Sequence, residues 1–341
     1  MKNIKIKYLL AAVSSLLLNI QTSGQGLHFS QYYNAPLLLN PANTALMPES
    51  DYRVGVNYRQ QWAAIPVPYK TTSIYADFQA LRNKNLTNWL GLGVAFWSDK
   101  AGNGDLSLSR TEAFVAYHVQ MGESSMFSVG ASAAYVQRSV DFNKLSFDSQ
   151  WDGFMFDSNI PNGESGYVAQ TNFVDISAGV NYALFPNENM YLKIGIGMAH
   201  VTQPKESFYG QVNKLGMRPT ANIDLLLKLS ESVILNPSLY YTTQKSASEF
   251  LYGTLFQVNL SNSEKASTQL IVGGYHRLKE AVVGTMGVQY GHLRVMSSYD
   301  FTTSAISVAN KGRGAFELAL RYEGLYGEFS RSRQSYNCPR F

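Results

Sequence analysis

Hydrophobic side chains at every second position, sustained along nearly the whole chain, are the feature that most restricts how this sequence can fold. Between Asn172 and Tyr182, the residues Val174, Ile176, Ala178, Val180 and Tyr182 share one face, while Asp175, Ser177, Gly179 and Asn181 share the other. In Met190 to Ala199, Met190, Leu192, Ile194, Ile196 and Met198 oppose Tyr191, Lys193, Gly195, Gly197 and Ala199. Near the end, Phe316, Leu318, Leu320 and Tyr322 oppose Ala315, Glu317, Ala319 and Arg321. A period of two is that of a β-strand whose faces meet different surroundings. No helical period interrupts the series, so the chain is all-β.

About fourteen such segments occur, each of roughly 9 to 12 residues, the length that crosses a bilayer when tilted by about 45°. They fall near residues 52–61, 70–79, 89–98, 107–119, 126–138, 171–182, 190–200, 219–229, 233–243, 250–260, 267–277, 282–290, 293–301 and 313–323. The connections sort by parity. Odd-numbered ones include Ser139 to Gln170, Val201 to Arg218 and Thr302 to Gly312, whereas even-numbered ones are as short as Ser230 to Ser232 or the pair Gly291 and His292. Hydrocarbon offers unpaired backbone groups no water, so a membrane sheet has to close on itself. The expectation is a transmembrane antiparallel β-barrel of about fourteen strands. In it Arg53, Asn57 and Arg59 face the lumen, Val54, Val56 and Tyr58 face lipid, and Trp62, Trp89, Trp97, Tyr69, Tyr182 and Tyr290 sit at or near strand ends where aromatic girdles belong. A soluble all-β protein shows the same alternation strand by strand, but not this strand number, strand length and loop sorting together.

Charge supports the membrane reading. Charged residues make up 15% of the 341, against about 25% in an average soluble protein, and the net charge of +4 is too dispersed for a nucleic-acid footprint. The single Cys excludes a disulfide scaffold. Outside residues 1–24 no apolar run approaches the roughly 20 residues of a membrane helix. Within them, Lys2, Lys5 and Lys7 precede the apolar Tyr8 to Leu18, and Thr22, Ser23 and Gly24 follow, which reads as a secretory signal peptide. The division expected is therefore a signal peptide (1–24), an N-terminal plug segment (25–50), the barrel (51–323) and a periplasmic C-terminal tail (324–341), in the outer membrane of a bacterial cell.

Catalytic constellations do not emerge. His28, His118, His200, His276 and His292 lack metal-ligand spacing, Gly91-Leu92-Gly93 lies inside a strand rather than at a phosphate-cradling turn, and no Gly-x-Ser-x-Gly elbow occurs. Asp148, Asp152 and Asp157 do not match a calcium loop and read as a solvated outer loop. Asp175, Asp224 and Glu317 with Arg53, Arg59, Lys193, Lys228 and Arg321 could form a lumenal charge network or simply line a wet interior. No enzyme activity and no cofactor are expected. The Pro-broken, apolar stretch from His28 to Ala42 has to pack somewhere, and a fourteen-strand lumen can hold it. The expected packing sets Phe29, Gln31, Tyr32, Pro36, Asn40 and Pro41 as a plug against Arg53, Asn57, Arg59, Gln61 and Trp62 of the wall, in a structural or partner-docking role. In the tail, Arg331, Arg333, Cys338, Arg340 and Phe341 offer a basic partner contact, with Phe341 alternatively an assembly signal; Cys338 could pair between chains, be modified or be buried.

His28-Phe29-Ser30-Gln31-Tyr32-Tyr33, Ala35-Pro36-Leu37, Leu39-Asn40-Pro41-Ala42, Tyr52-Arg53 and Asn57-Tyr58-Arg59-Gln60-Gln61-Trp62 together resemble the opening of the PorP/SprF family. Phe147-Asp148-Ser149-Gln150 with Pro161-Asn162-Gly163-Glu164 is similar to its central loop, and Ser298-Tyr299-Asp300, Phe316-Glu317-Leu318 and Cys338-Pro339-Arg340-Phe341 are similar to its C-terminal signature. The resemblance implies a non-enzymatic outer-membrane component of the type IX secretion and gliding-motility machinery of Bacteroidota. Implied partners are periplasmic and lipoprotein components of that machinery, or a large secreted surface adhesin. The rival expectation is a fatty-acid-uptake barrel for hydrophobic small molecules, which also carries an N-terminal plug with Asn-Pro-Ala, as at Asn40, Pro41 and Ala42.

Overall fold

The computed structural model describes residues 29–326, apart from 48–49, 63–67, 84–86, 103, 165–166, 209–212, 264–265 and 306. Fourteen strands close into one antiparallel barrel. They are β1 (Tyr52–Gln61), β2 (Tyr69–Ala80), β3 (Asn88–Ala101), β4 (Leu106–Gln120), β5 (Ser125–Ser139), β6 (Gln170–Asn187) and β7 (Met190–Ala199), followed by β8 (Arg218–Ser230), β9 (Val233–Gln244), β10 (Ala247–Ser263), β11 (Ala266–Arg277), β12 (Ala281–Tyr290), β13 (Leu293–Thr302) and β14 (Arg313–Gly324). Each strand pairs with its sequence neighbours, and β1 pairs with β14 along its whole length, from Tyr52 opposite Gly324 to Gln61 opposite Ala315. Among the described residues no helix is long and apolar enough to cross a membrane.

The alternation sorts side chains as the sequence demands. Val174, Ile176, Val180 and Tyr182 of β6 are exposed on the outside, while Asp175, Ser177 and Asn181 are buried within. Both barrel termini lie at one end, where Asp51 N–H donates to Gly324 O at 2.7 Å; this is called the near end below. The far end carries the connections 140–169, 200–217 and 303–312, and the near end the tight turns 188–189, 231–232 and 291–292.

Two expectations change. Trp89 and Trp97 are not girdle residues: they are 4% and 7% exposed and point inward. They share the parity of the inward-facing Gly91, Gly93 and Ala95, and parity, not nearness to a strand end, decides which face a side chain takes. The sixth strand also runs past Tyr182 to Asn187. Its pairing with β5 continues from Tyr182 to Leu184, whereas its register with β7 slips between Leu184 and Asn187, around Pro186. A proline lacks the ladder donor and is tolerated where the pairing is already irregular.

The inner wall is lopsided. On β9 to β14, Tyr240, Leu251, Leu255, Ile271, Tyr275, Val283, Met296 and Ala319 form a buried apolar cluster with Tyr32, and Tyr33 and Leu39 pack against it. On β3, β5, β6 and β7 the inward positions include Gly91, Gly93, Gly130, Gly179, Gly195 and Gly197. Outward positions should behave as lipid-facing. Ile196→Arg is expected to lower folding stability in phospholipid vesicles by about 2–4 kcal/mol, read from urea titrations, whereas Asn159→Arg in the far-end loop should change it by less than about 0.5 kcal/mol.

Candidate functional site in the barrel lumen

The stretch from Phe29 to Met47 is almost wholly buried and lies inside the barrel, bonded to strands around the ring. Two prolines set its shape. Pro36 opens a single helical turn (Pro36–Leu39) and Pro41 opens a 3₁₀ turn (Pro41–Asn43), each at a first helical position where a missing N–H costs nothing. Between them Asn40 is extended, and its Oδ1 accepts from Ala42 N–H at 2.9 Å, capping the second turn. The Nδ2 of the same amide has two hydrogens shared among three acceptors, Val180 O and Ile196 O, both at 3.2 Å, and Asn181 Oδ1 at 3.1 Å.

Such close approach needs a wall without side chains. A Cβ on Gly179 would stand 2.0 Å from Asn40 Oδ1, one on Gly130 would stand 2.5 Å from Ala42 N, and one on Gly91 would stand 2.2 Å from Thr44 O. These contacts are to backbone or to a fixed amide, so a larger residue has to displace the segment.

Ions clasp the segment toward the far end. The Glu317 carboxylate takes Ser30 N–H at 2.6 Å and Gln31 N–H at 2.8 Å, and also binds Arg59. Ser30 Oγ donates to Asp300 Oδ2 at 2.7 Å and accepts from Arg59 at 3.0 Å and Arg277 at 2.6 Å. Arg59 reaches Asp300 at 3.0 Å; Arg277 reaches Asp300 at 3.1 Å and Glu249 at 3.0 Å. Arg59, Arg277, Asp300 and Glu317 are each at most 2% exposed. Removing one member of such a set strands the others without water.

A second clasp holds the near end of the segment. Asp77 accepts from Ala45 N–H at 2.6 Å and takes Arg53 in a two-pronged contact at 2.6 and 3.0 Å. Trp89 Nε1 donates to Ala45 O at 3.0 Å, and Gln79 Nε2 to Met47 O at 2.7 Å. His118 bridges Thr44 O and Ser128 Oγ, each at 2.7 Å. Since a carbonyl only accepts, His118 carries its proton on Nε2. Midway, Tyr75 Oη donates to Asn34 O at 2.8 Å.

Of the residues singled out from the sequence, Phe29, Gln31, Tyr32, Pro36, Asn40 and Pro41 are in the lumen, and Arg53 and Arg59 bond to the segment. Asn57 faces inward and donates to Ser73 Oγ at 3.1 Å. Gln61 and Trp62 are not brought to the segment; they are half-buried at the far rim, where the Trp62 ring meets Tyr69 edge-on at 5.4 Å. The lumenal charges divide into separate groups. Lys193 pairs with Asp224 at 3.3 Å, Arg321 with Glu323 at 3.2 Å, and Asp175 with Arg110 at 2.5 Å and with His200 at 2.9 Å. Lys228 instead pairs with the exposed Glu231 on a near-end turn. Sequence reasoning passed over Asp77, Arg277 and Tyr75, whose polar groups at inward parity were the available signal. Arg331, Arg333, Cys338, Arg340 and Phe341 lie outside the described residues. Among the described residues no group of three or more His, Cys, Asp or Glu could hold a metal.

A closed fourteen-strand barrel with apolar outward faces and a lumen occupied by its own N-terminal stretch defines the protein as an outer-membrane β-barrel. By fold it is similar to the Ralstonia pickettii toluene transporter TbuX (TM-score 0.54, 9% identity) and to the Pseudomonas putida toluene transporter TodX (0.51, 12%). It is likewise similar to a deltaS2S3 mutant of the TodX monoaromatic hydrocarbon channel (0.55, 10%); in all three cases 86% of this chain and 94% of the other are covered. At such identity the likeness is one of fold alone. No curated protein matches the chain. Residues 21–322 match the family model of the type IX secretion system membrane protein PorP/SprF, and the chain belongs to that family.

Arg59→Glu sets a third carboxylate beside Asp300 and Glu317. It is expected to cost about 3–5 kcal/mol in denaturant titrations of the reconstituted barrel and to expose the segment to proteolysis between residues 34 and 44. Unchanged stability and protection would contradict the clasp.

Proposed function

We propose that this barrel is a sealed, non-enzymatic interaction platform of type IX protein secretion. In this reading Phe29 to Met47 is a plug, with Phe29, Gln31, Tyr32, Pro36, Asn40 and Pro41 as its body and Arg53, Asn57 and Arg59 as its wall. The observation that carries it is the double clasp: both ends of the segment are held by buried charged side chains on different strands, as a plug that fills the lumen would have to be. A filled lumen leaves the two ends as working surfaces. The near end would meet periplasmic and lipoprotein components of the machinery, and the far end a large exported surface adhesin. Gliding motility belongs to the same proposal, as do the signal peptide at 1–24 and the periplasmic tail.

The near end offers a fixed starting point for that tail. Tyr326 N–H donates to Asp51 Oδ2 at 2.6 Å, its hydroxyl donates to Gln79 O at 3.0 Å, and its ring stacks on Tyr52 at 6.1 Å. Residues that follow, with Arg331, Arg333, Cys338, Arg340 and Phe341, would be delivered to a periplasmic partner from this point.

A second reading, uptake of hydrophobic small molecules, draws on a small pocket between the segment and strands β8 to β10. Phe29, Tyr32, Leu38, Leu39 and Tyr240 line it, with Arg218 and Glu249 alongside. Conductance separates the two. The intact protein in a planar bilayer should pass little current, and deletion of residues 29–47 should raise it at least tenfold. In cells, loss of the whole chain should abolish export of at least one surface protein while fatty-acid uptake stays unchanged. High conductance of the intact barrel, or an uptake defect with normal export, would overturn the proposal.

A further inference from the structure

The far-end connection 140–169 is folded on itself. At its base Phe142 stacks on Tyr167 at 3.9 Å, Asp141 N–H donates to Gly104 O at 2.7 Å, and Val168 N–H donates to Phe208 O at 2.7 Å. Higher up, Gln150 Nε2 donates to Ile160 O at 3.1 Å and Asp157 N–H donates to Gln150 O at 2.9 Å. Trp151 and Phe156 then pair as an antiparallel bridge around a turn in which Asp152 Oδ1 accepts from Phe154 N–H and Met155 N–H, both at 2.7 Å. Gly153, with φ of +106°, supplies the conformation that this turn requires.

The result is a small hairpin that carries its apolar side chains outward. Trp151, Met155 and Phe156 are exposed and Phe154 is 93% exposed, although hydrogen bonds of Trp151, Asp152, Phe154, Met155 and Asp157 N–H hold the backbone beneath them. Contiguous apolar surface of this kind, rich in aromatics and Met, is the composition of an interface core. Its electrostatics are one-sided. Between residues 145 and 169 stand Asp148, Asp152, Asp157 and Glu164 and no Lys or Arg. The two backbone donors hold the Asp152 carboxyl below its usual range, so it is charged at neutral pH.

We propose that residues 150–157 form a docking knob for a folded polypeptide outside the cell that offers an apolar cleft rimmed by Lys and Arg. Charge decides between this occupant and a membrane surface. An anionic lipid face would accept the aromatic side chains and repel the carboxylates around them, whereas a basic-rimmed cleft satisfies both at once. The inference rests on the far end facing outward, and stands whether or not the lumen is sealed.

The test uses the full-length barrel in nanodiscs with a photo-crosslinking group at Met155, a second with the group at the exposed far-end residue Val201, and the cell's own exported proteins as probe. A protein adduct specific to Met155 is expected, with cross-linked peptides that map to an apolar cleft flanked by Lys and Arg. Phe154→Ser, and separately Asp148→Lys with Asp157→Lys, should each lower the yield at least tenfold while the barrel keeps its heat-modifiable migration. No adduct above the Val201 control overturns the proposal. So does an adduct with lipid, with a second copy of this chain, or with a polypeptide surface lacking basic residues, or a yield indifferent to both variants.

Discussion

Closure of the sheet is the constraint on which the rest depends. A strand edge in hydrocarbon has no partner for its N–H and C=O groups, and the pairing of β1 with β14 removes the last edge. Closure then creates a second requirement. About eight strands can be filled by their own side chains, but a ring of fourteen encloses more space than wall residues reach across. The polar inward faces that alternation dictates would leave Arg59, Arg277, Asp300 and Glu317 around a wide void. The stretch from Phe29 to Met47 meets both needs at once, filling volume and supplying Ser30 and the backbone amides of Ser30 and Gln31 to the carboxylates.

Where the segment lies is decided by side-chain volume. Glycines on β3, β5, β6 and β7 let its backbone come within contact of one wall, while tyrosines, leucines and a methionine on the opposite wall grow inward to meet it. Tyr32 stacks on Tyr240 at 5.3 Å and Tyr33 on Tyr275 at 5.5 Å, so the segment's own aromatics complete the broad side. The seat is therefore off-axis and steric, and the ions at its ends set register along it. That division agrees with the small net stability that buried ion pairs contribute once their desolvation is counted.

Much of this was legible in the sequence because a period of two survives without any alignment. Strand number, direction of each face and the sorting of loops all follow from parity and turn residues. Trp89 and Trp97 face inward because parity overrides nearness to a strand end, and Gln61 and Trp62 adjoin Arg59 in sequence yet sit at the far rim. What parity cannot show is which inward charges meet across the lumen. Asp77 finds Arg53 on the neighbouring strand, whereas Arg277 and Arg59 converge on Asp300 from separate strands. Those meetings depend on barrel curvature and on a segment that has no period at all.

The two clasps are not equivalent. Toward the near end, Ala45 is held by Asp77 and Trp89 only a few residues before β1 enters the sheet, so that end is tethered by covalent continuity as well as by hydrogen bonds. At the far end, Ser30 and Gln31 are held by side-chain contacts from β1, β11, β13 and β14, through Arg59, Arg277, Asp300, Ser298 and Glu317. The near end keeps its covalent tether when the far clasp is broken, and the glycine-lined wall gives the freed backbone little side-chain friction against which to catch. Asn40 is the intermediate stop, since its amide nitrogen meets three acceptors on β6 and β7, and Asn43 beside it accepts from Asn181 and Lys193 on the same two strands. A segment held in this order would yield from its far end inward, with the tether to β1 the last contact to go.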